Sequence, residues 1–249
     1  MCAAGGFEKT MRTPYGLGPV ESCAACAGRG ERPFCGDDEQ TLGELDANKF
    51  VTFYPRGALL FVEGEPPRGV YIVCAGRAKL TTSSGGARVL ITHLAGPGEV
   101  LGLSAVLSGT PYEVTAETIE PSRVGFIGRE SFLRFVAGDA GAALRAARHL
   151  GRNYRTAFEQ VRLLGLSNSA AAKFARFLLE ACERDGAAEG PGDQVKLSLT
   201  HEEIGQLIGA SRETVTRLFS EFKTEALIHV SGATLRVRDR TALEALADG

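Results

Sequence analysis

Nothing in the 249 residues has the ~18 to 20 uninterrupted apolar positions that a membrane-spanning helix needs. The N-terminal segment carries Glu8, Lys9 and Arg12 with no apolar stretch behind them, so it does not have the form of a secretory signal. The chain also lacks any excess of positive charge. With 28 Lys and Arg against 30 Asp and Glu, its formal net charge is -2, which excludes a global attraction to nucleic acid and leaves basic character to be sought locally. Cysteines number six, too few and too unevenly spread for a secreted disulfide framework. The expectation is a cytoplasmic protein with reduced thiols, in which cysteine serves for metal binding or is simply buried. What the chain does have is apolar bulk. At 44% hydrophobic residues, a chain of this length can build two modest domains with packed cores.

Basic residues gather in one region: between residues 141 and 184, eight Lys or Arg stand against three Glu. The texture of the chain changes along its length. Residues 1–40 are rich in Gly, Ala and Cys with little periodicity, which predicts a loop-like leader. Over residues 41–138, short apolar runs such as "ALLFVEG", "VYIVCAG" and "RVLITHL" end at Gly, Pro or Ser turns, the pattern of an antiparallel sandwich or jelly roll. Residues 139–166 contain no proline. There Ala143, Ala147, Leu150, Tyr154, Ala157, Val161 and Leu164 step alternately by four and three, with most of the arginines off that seam. A helix packed on its own domain would show a related pattern. The seam of small residues running over about three heptads favours a symmetric dimer with Ala147, Leu150, Tyr154, Ala157, Val161 and Leu164 at its interface. Within residues 167–249, "SAAAKFARFLLEACER" predicts a further helix and "DGAAEGPGDQ" a surface loop.

The segment "LTHEEIGQLIGASRETVTRLFSEFKTEALIHVSGATLRVRD" carries the sharpest signal. Thr200 and Glu203 have capping-box spacing, so a helix starts there, with Ile204, Leu207 and Ile208 facing a core. Gly209 supplies a tight turn, and Ser211 caps a second helix in which Val215, Leu218, Phe219 and Phe222 recur at i, i+3, i+4 and i+7. Helix, short glycine turn and helix make a helix-turn-helix, followed by the hairpin-like "HVSGATLRV". The other face of the second helix presents Arg212, Glu213 and Arg217 in its first two turns. Arginine can bind guanine O6 and N7 together and glutamate can accept from cytosine N4, so these three are expected to contact bases of double-stranded DNA. Thr200, Ser211 and Thr214, near helix starts, are expected to hold phosphates.

In "ESCAACAGRGERPFCG", Cys23, Cys26 and Cys35 have C-x2-C-x8-C spacing. Thiolates in that pattern suit an iron-sulfur cluster or zinc but need a fourth ligand. An enzyme with Cys23, Cys26 or Cys74 as nucleophile finds no base nearby in sequence: His93, His149, His201 and His229 are scattered, and His201 lies inside the capping box. A β-roll acting only through protein partners is a third reading. It leaves the Arg212, Glu213 and Arg217 face unexplained.

From about Leu45 to its end, the chain resembles the cyclic-AMP receptor protein and fumarate-nitrate regulator (CRP/FNR) family of bacterial transcription factors, most specifically in "EEIGQLIGASRETVTR". The resemblance implies an α+β architecture: an N-terminal β-roll of cyclic-nucleotide-binding type, a long dimerisation helix and a C-terminal winged helix-turn-helix. It also implies a homodimeric regulator, with no enzymatic activity, that reads palindromic GTGA-type half-sites and works with RNA polymerase. In cyclic-nucleotide members a Gly-Glu-Leu and a later Arg-Ser or Arg-Thr hold the ribose and cyclic phosphate. Here "EVLGLSAVLSGTPYEVTAET" has Leu103 in place of the ribose-binding Glu and Tyr112-Glu113 near the Arg position. Leucine cannot bond a hydroxyl and a carboxylate repels a phosphate, so cyclic AMP is not the expected effector. The oxygen-sensing branch carries N-terminal cysteines, which points to iron-sulfur or redox control through Cys23, Cys26 and Cys35. The branch's late β-roll cysteine is missing from "EPSRVGFIG", so Cys74 is the candidate fourth ligand. Cys182 is expected to be buried, and terminal Cys2 carries no signal. Zinc, no metal, another small molecule in the β-roll, and effector-independence are the alternatives.

Overall fold

The computed structural model describes residues 14–18, 22–26, 28, 35, 39–85, 88–166, 169–189 and 194–248. A first helix, α1 (Glu39–Asn48), leads into a roll of two antiparallel sheets. One sheet orders β1 (Phe50–Tyr54), β8 (Ser122–Gly128), β3 (Gly69–Ala75) and β6 (Val100–Leu101). The other orders β2 (Leu59–Phe61), β7 (Thr115–Thr118), β4 (Ala78–Ser84) and β5 (Arg88–Ala95).

The run "VYIVCAG" shows why β3 is apolar without alternation. Successive side chains of a strand point to opposite faces. Tyr71 and Val73 enter the core between the sheets with Phe61, Leu101, Tyr112, Ala116 and Val124. Val70 and Ile72 pack on the other side, against Leu42 of α1, Phe132 and Phe135 of α3 (Arg129–Gly138) and Ala142 and Ala146 of α4 (Ala140–Leu166). Both faces of β3 are therefore dry. A short helix, α2 (Leu103–Ser108), starts after Gly102, whose φ of 75° lies in the left-handed region. A Cβ at Gly102 would come within 2.7 Å of the Tyr112 ring, so both backbone and packing require glycine there.

α4 has 27 residues, about 40 Å at 1.5 Å per residue, and its two halves differ. In the first half Ala142, Ala146 and His149 are buried against the roll. In the second half Tyr154, Phe158 and Val161 are 74%, 54% and 66% exposed, a large apolar surface for one helix. His149 is 1% exposed, and its Nε2 lies 3.2 Å from the Val100 amide and 2.9 Å from the Val100 carbonyl. Burial is the main cause that holds its pKa below the ordinary 6.5, with nearby Arg152 and His93 adding to the effect and Glu99 and the Val100 bond opposing it. A histidine whose folded pKa is depressed contributes stability above the unfolded value and loses it as pH falls below. Urea unfolding at about pH 7.5 and about pH 5.5 should show the wild type losing stability at the lower pH, with His149→Gln losing clearly less. An equal loss in both proteins would rule out His149 as the cause.

The C-terminal domain contains α5 (Ala170–Glu189), β9 (Gln194–Lys196), α6 (His201–Ile208), α7 (Arg212–Thr224), β10 (Ile228–Ser231), β11 (Thr234–Val237) and α8 (Arg240–Asp248). Its core gathers Phe174, Leu178, Ile204, Ile208, Val215, Phe219, Phe222, Leu235 and Leu243. β10, β11 and β9 form the antiparallel wing. The loop expected from Asp185 does not begin there, because α5 continues to Glu189. One glycine costs a helix only about 1 kcal/mol relative to alanine, and Ala187 and Ala188 follow Gly186 at once. No helix among the described residues is long and apolar enough to cross a membrane.

Candidate nucleic-acid interface

The reader is built by two caps. At the start of α6 the Thr200 hydroxyl accepts from the Glu203 amide at 3.2 Å, and Glu203 Oε2 accepts from the Thr200 amide at 2.8 Å. α6 ends at Gly209, with φ of 70°, and its Gly205 lets the turn approach closely: a Cβ there would lie 2.6 Å from the Ala210 carbonyl. Ser211 then opens α7 by accepting from the Thr214 amide at 3.1 Å. With both ends pinned, the apolar stripe Val215, Leu218, Phe219 and Phe222 is buried, and the opposite face turns to solvent.

That opposite face carries Arg212, Glu213 and Arg217, all exposed. Arg217 makes a 3.5 Å ion pair with Glu221 one turn on and is 69% exposed, so its guanidinium can turn to a ligand. The Glu213 carboxyl lies below its usual range, chiefly through its own backbone amide at the helix start and the Ser211 hydroxyl. It is therefore ionised and acts only as an acceptor, as a cytosine amino group requires. The expected phosphate contacts divide. Thr200 spends both donors on Glu203, its hydroxyl at 3.0 Å and its amide at 2.8 Å, so the contact expected of it has no donor left. Ser211 and Thr214 share one bond at 3.1 Å and the Ser211 hydroxyl also meets Glu213, so a phosphate reaches them only in exchange for one of these bonds.

The expected dimer seam is also divided. Ala147, Tyr154, Ala157 and Val161 are exposed, whereas Leu150 packs against the roll's own core and Leu164 leans on Gly209 of the reader. Phe158, off the expected seam, stacks on Tyr154 with ring centroids 6.4 Å apart and extends the bare face.

In the roll, a cavity of about 160 Å³ is lined by Phe61, Leu80, His93, Glu99, Leu101 and Leu103, among others, and closed by Asn153, Thr156 and Ala157 of α4. Its charged lining consists of Glu99 and Glu113 with His93, and neither Lys nor Arg lines it among the described residues. Burial would raise the Glu99 pKa, but His93 at 2.6 Å and the Gly96 amide at 2.9 Å hold it lowered. Leu103 is buried beside the cavity. Tyr112 is structural: its hydroxyl donates to the Gly69 carbonyl at 2.7 Å, and its ring stacks on Phe61 at 4.1 Å.

The cysteines lie elsewhere. Cys23 is buried, and its sulfur accepts from Lys49 Nζ at 2.7 Å, while the Lys49 ammonium also meets Asp46 at 2.9 Å. Burial above all pushes the Cys23 thiol up to about 12, opposite to what a thiolate ligand needs. Cys74 packs against the same core as Cys23, Cys35 is buried and Cys26 half-buried. Among the described residues no three His, Cys, Asp or Glu converge on a point where a metal could sit. The cysteines as placed do not fit an iron-sulfur cluster. Cys182 is buried, as expected, and Cys2 lies outside the described residues.

Three polar side chains that sequence spacing did not single out join the reader to the roll. Lys79 Nζ stands 2.9 Å from Glu203 and 3.3 Å from Glu117, and Arg56 lies 3.6 Å from Glu203. Gln160 Nε2 donates to the Leu207 carbonyl at 2.7 Å. All these pairs are far apart in the chain, where periodicity carries no signal.

Two family descriptions match the chain: a cyclic nucleotide-binding domain over residues 51–139 and a Crp-like helix-turn-helix domain over residues 172–246. The chain is 32% identical over 228 residues to the transcriptional activatory protein AadR of Rhodopseudomonas palustris, covering 89% of this chain and 91% of that one. It is 29% identical over 210 residues to the CRP-like cAMP-activated global transcriptional regulator of Mycobacterium tuberculosis, covering 84% and 93%. Its fold is similar to that of FixK2 from Bradyrhizobium japonicum, with a TM-score of 0.71 at 27% identity over 80% of this chain and 96% of that one.

Proposed function

The chain belongs to the CRP/FNR family of DNA-binding transcription regulators, and from that footing we propose that it acts as a homodimer reading palindromic DNA with two GTGA-type half-sites. The observation that carries this reading is the start of α7, where Arg212, Glu213 and Arg217 are exposed while the opposite stripe is buried. Two arginines and one carboxylate there match the guanine and cytosine edges of such a half-site. Dimerisation is supported by the bare second half of α4, since Tyr154, Phe158 and Val161 form an apolar surface that a second copy of the same helix would cover. RNA polymerase is the further partner and the cytoplasm the compartment that this role requires.

The effector follows from the cavity. Glu99, paired with His93, and Glu113 line it, and neither Lys nor Arg does among the described residues, so it suits a small neutral or cationic organic molecule and disfavours cyclic AMP, whose phosphate is anionic. A ligand there would touch both the roll and α4 through Asn153 and Thr156. Control through an iron-sulfur cluster, zinc or a thiol switch rests on the C-x2-C-x8-C spacing and the likeness to the oxygen-sensing branch, and against it stands Cys23, bonded to Lys49 with its thiol proton held.

The test is a gel shift with protein purified without air and analysed for iron and sulfide. A shifted band on a GTGA palindrome, none on a scrambled duplex, no change with cyclic AMP and no iron are expected. Equal binding to both duplexes refutes the DNA reading, a cyclic-AMP requirement refutes the effector reading, and stoichiometric iron with sulfide restores the cluster.

A further inference from the structure

Glu203 holds two loads with one carboxylate. Its Oε2 closes the cap of α6 through Thr200, while its Oε1 accepts from Lys79 of β4 at 2.9 Å. The cap is internal to the reader, whereas the Lys79 bond crosses from the roll to the reader. Lys79 also meets Glu117 of β7 at 3.3 Å, and Arg56 approaches Glu203 Oε2 at 3.6 Å, so two cations and two carboxylates form one connected cluster. The Lys79 and Glu203 side chains are 12% and 13% exposed, which separates this pair from ordinary surface ion pairs that water screens. Two further contacts act along the same junction. Gln160 of α4 donates to the Leu207 carbonyl at the far end of α6, and Leu164 abuts Gly209. The first reader helix is thus gripped at its start by the roll and at its end by α4. In this gripped arrangement the reading face of α7 stays open to solvent, so the contact is compatible with DNA binding.

We infer that Lys79 is a positioning residue for DNA recognition: by gripping Glu203 it fixes the angle of the reader on the sensor roll, and so the separation of the two reading helices in the dimer. This rests on the palindrome reading above. Its consequence is geometric. Adding one base pair between half-sites moves the second by ~3.4 Å and rotates it by ~35° about the duplex axis, since a turn is about 10 base pairs and about 34 Å. A gripped reader cannot follow that displacement, and a loosened one can.

The test uses the full chain and a set of palindromes with constant GTGA half-sites and spacing varied one base pair at a time. The wild type should favour one spacing. Lys79→Met removes the grip and leaves the Thr200 cap untouched. Glu203→Gln removes the charge and keeps a residue that also serves in capping boxes. In both variants the preference for the best spacing over its neighbours should fall by about fivefold or more, as expected when a coupling of about 1 kcal/mol is lost, while the preference for GTGA over a scrambled half-site persists. Lys79→Arg should restore the spacing profile. A merely structural role would lower binding at every spacing alike, and that result, or an unchanged profile, overturns the inference. A wild type that binds no palindrome at any spacing instead refutes the palindrome reading, and the inference falls with it.

Discussion

Phe174→Ala should unfold the reader domain while leaving the sensor roll intact. Phe174 is fully buried, and its ring centroid lies 4.8 Å from that of Phe219 and 5.2 Å from that of Phe222, so one side chain ties α5 to the C-terminal half of the buried stripe of α7. Truncating a buried phenylalanine costs about 3 to 5 kcal/mol through lost burial and the cavity left behind. Stabilities of whole domains are about 5 to 15 kcal/mol, so a winged domain of this size has little left after that loss. The chain has no tryptophan, so the measurement is urea unfolding followed by circular dichroism, beside a gel shift. The expected result is an early transition carrying the reader's helices, a later one for the roll, and no specific DNA binding. A single transition at the wild-type midpoint would show that Phe174 does not hold the stripe in place.

Arg217→Ala should act on the opposite face of the same helix without touching the fold. The side chain is 69% exposed and, among the described residues, pairs with Glu221 at 3.5 Å, so the melting temperature should stay near the wild-type value. Losing a bidentate contact to guanine costs about 1 to 3 kcal/mol of discrimination, or about 5- to 150-fold in affinity for the intact site. Arg217→Lys should rescue little, because an ammonium cannot form the two parallel bonds. Salt dependence separates base reading from phosphate attraction. If Arg217 met only a phosphate, the variant would bind all sequences more weakly and its salt slope would fall by about one. Loss confined to the guanine position, with the slope unchanged, is the result expected here.

The two domains differed in how much of them the sequence could disclose. "EEIGQLIGASRETVTR" was legible because each of its signals is local: a cap three residues from its partner, a glycine at the turn and a stripe at helical spacing, all realised between Thr200 and Phe222. The strands were legible for a similar reason, each apolar run ending where a turn glycine stands. The seam of α4 was only half legible. Periodicity says that Leu150 and Leu164 lie on one face, but not that the roll and the reader have already claimed them. Thr200 was ambiguous because a capping hydroxyl and a phosphate-binding hydroxyl look alike in sequence, and only the geometry shows its proton directed at Glu203. Lys79 and Glu203 are 124 residues apart, and no local pattern links them. The cysteine spacing invited a metal, yet what stands beside Cys23 is Lys49, from a segment read as ordinary roll.

β3 buries both its faces, yet among the described residues it supplies none that wall the sensor cavity, which come from Phe61, β4, β5, the β6 to α2 corner, the segment before β7 and α4. Phe61, Leu101 and Leu103 belong both to the core and to the cavity wall, whereas the β3 spine belongs to the core. A lineage carrying this domain can exchange one effector for another by changes at the rim, with the spine of the fold left as it is.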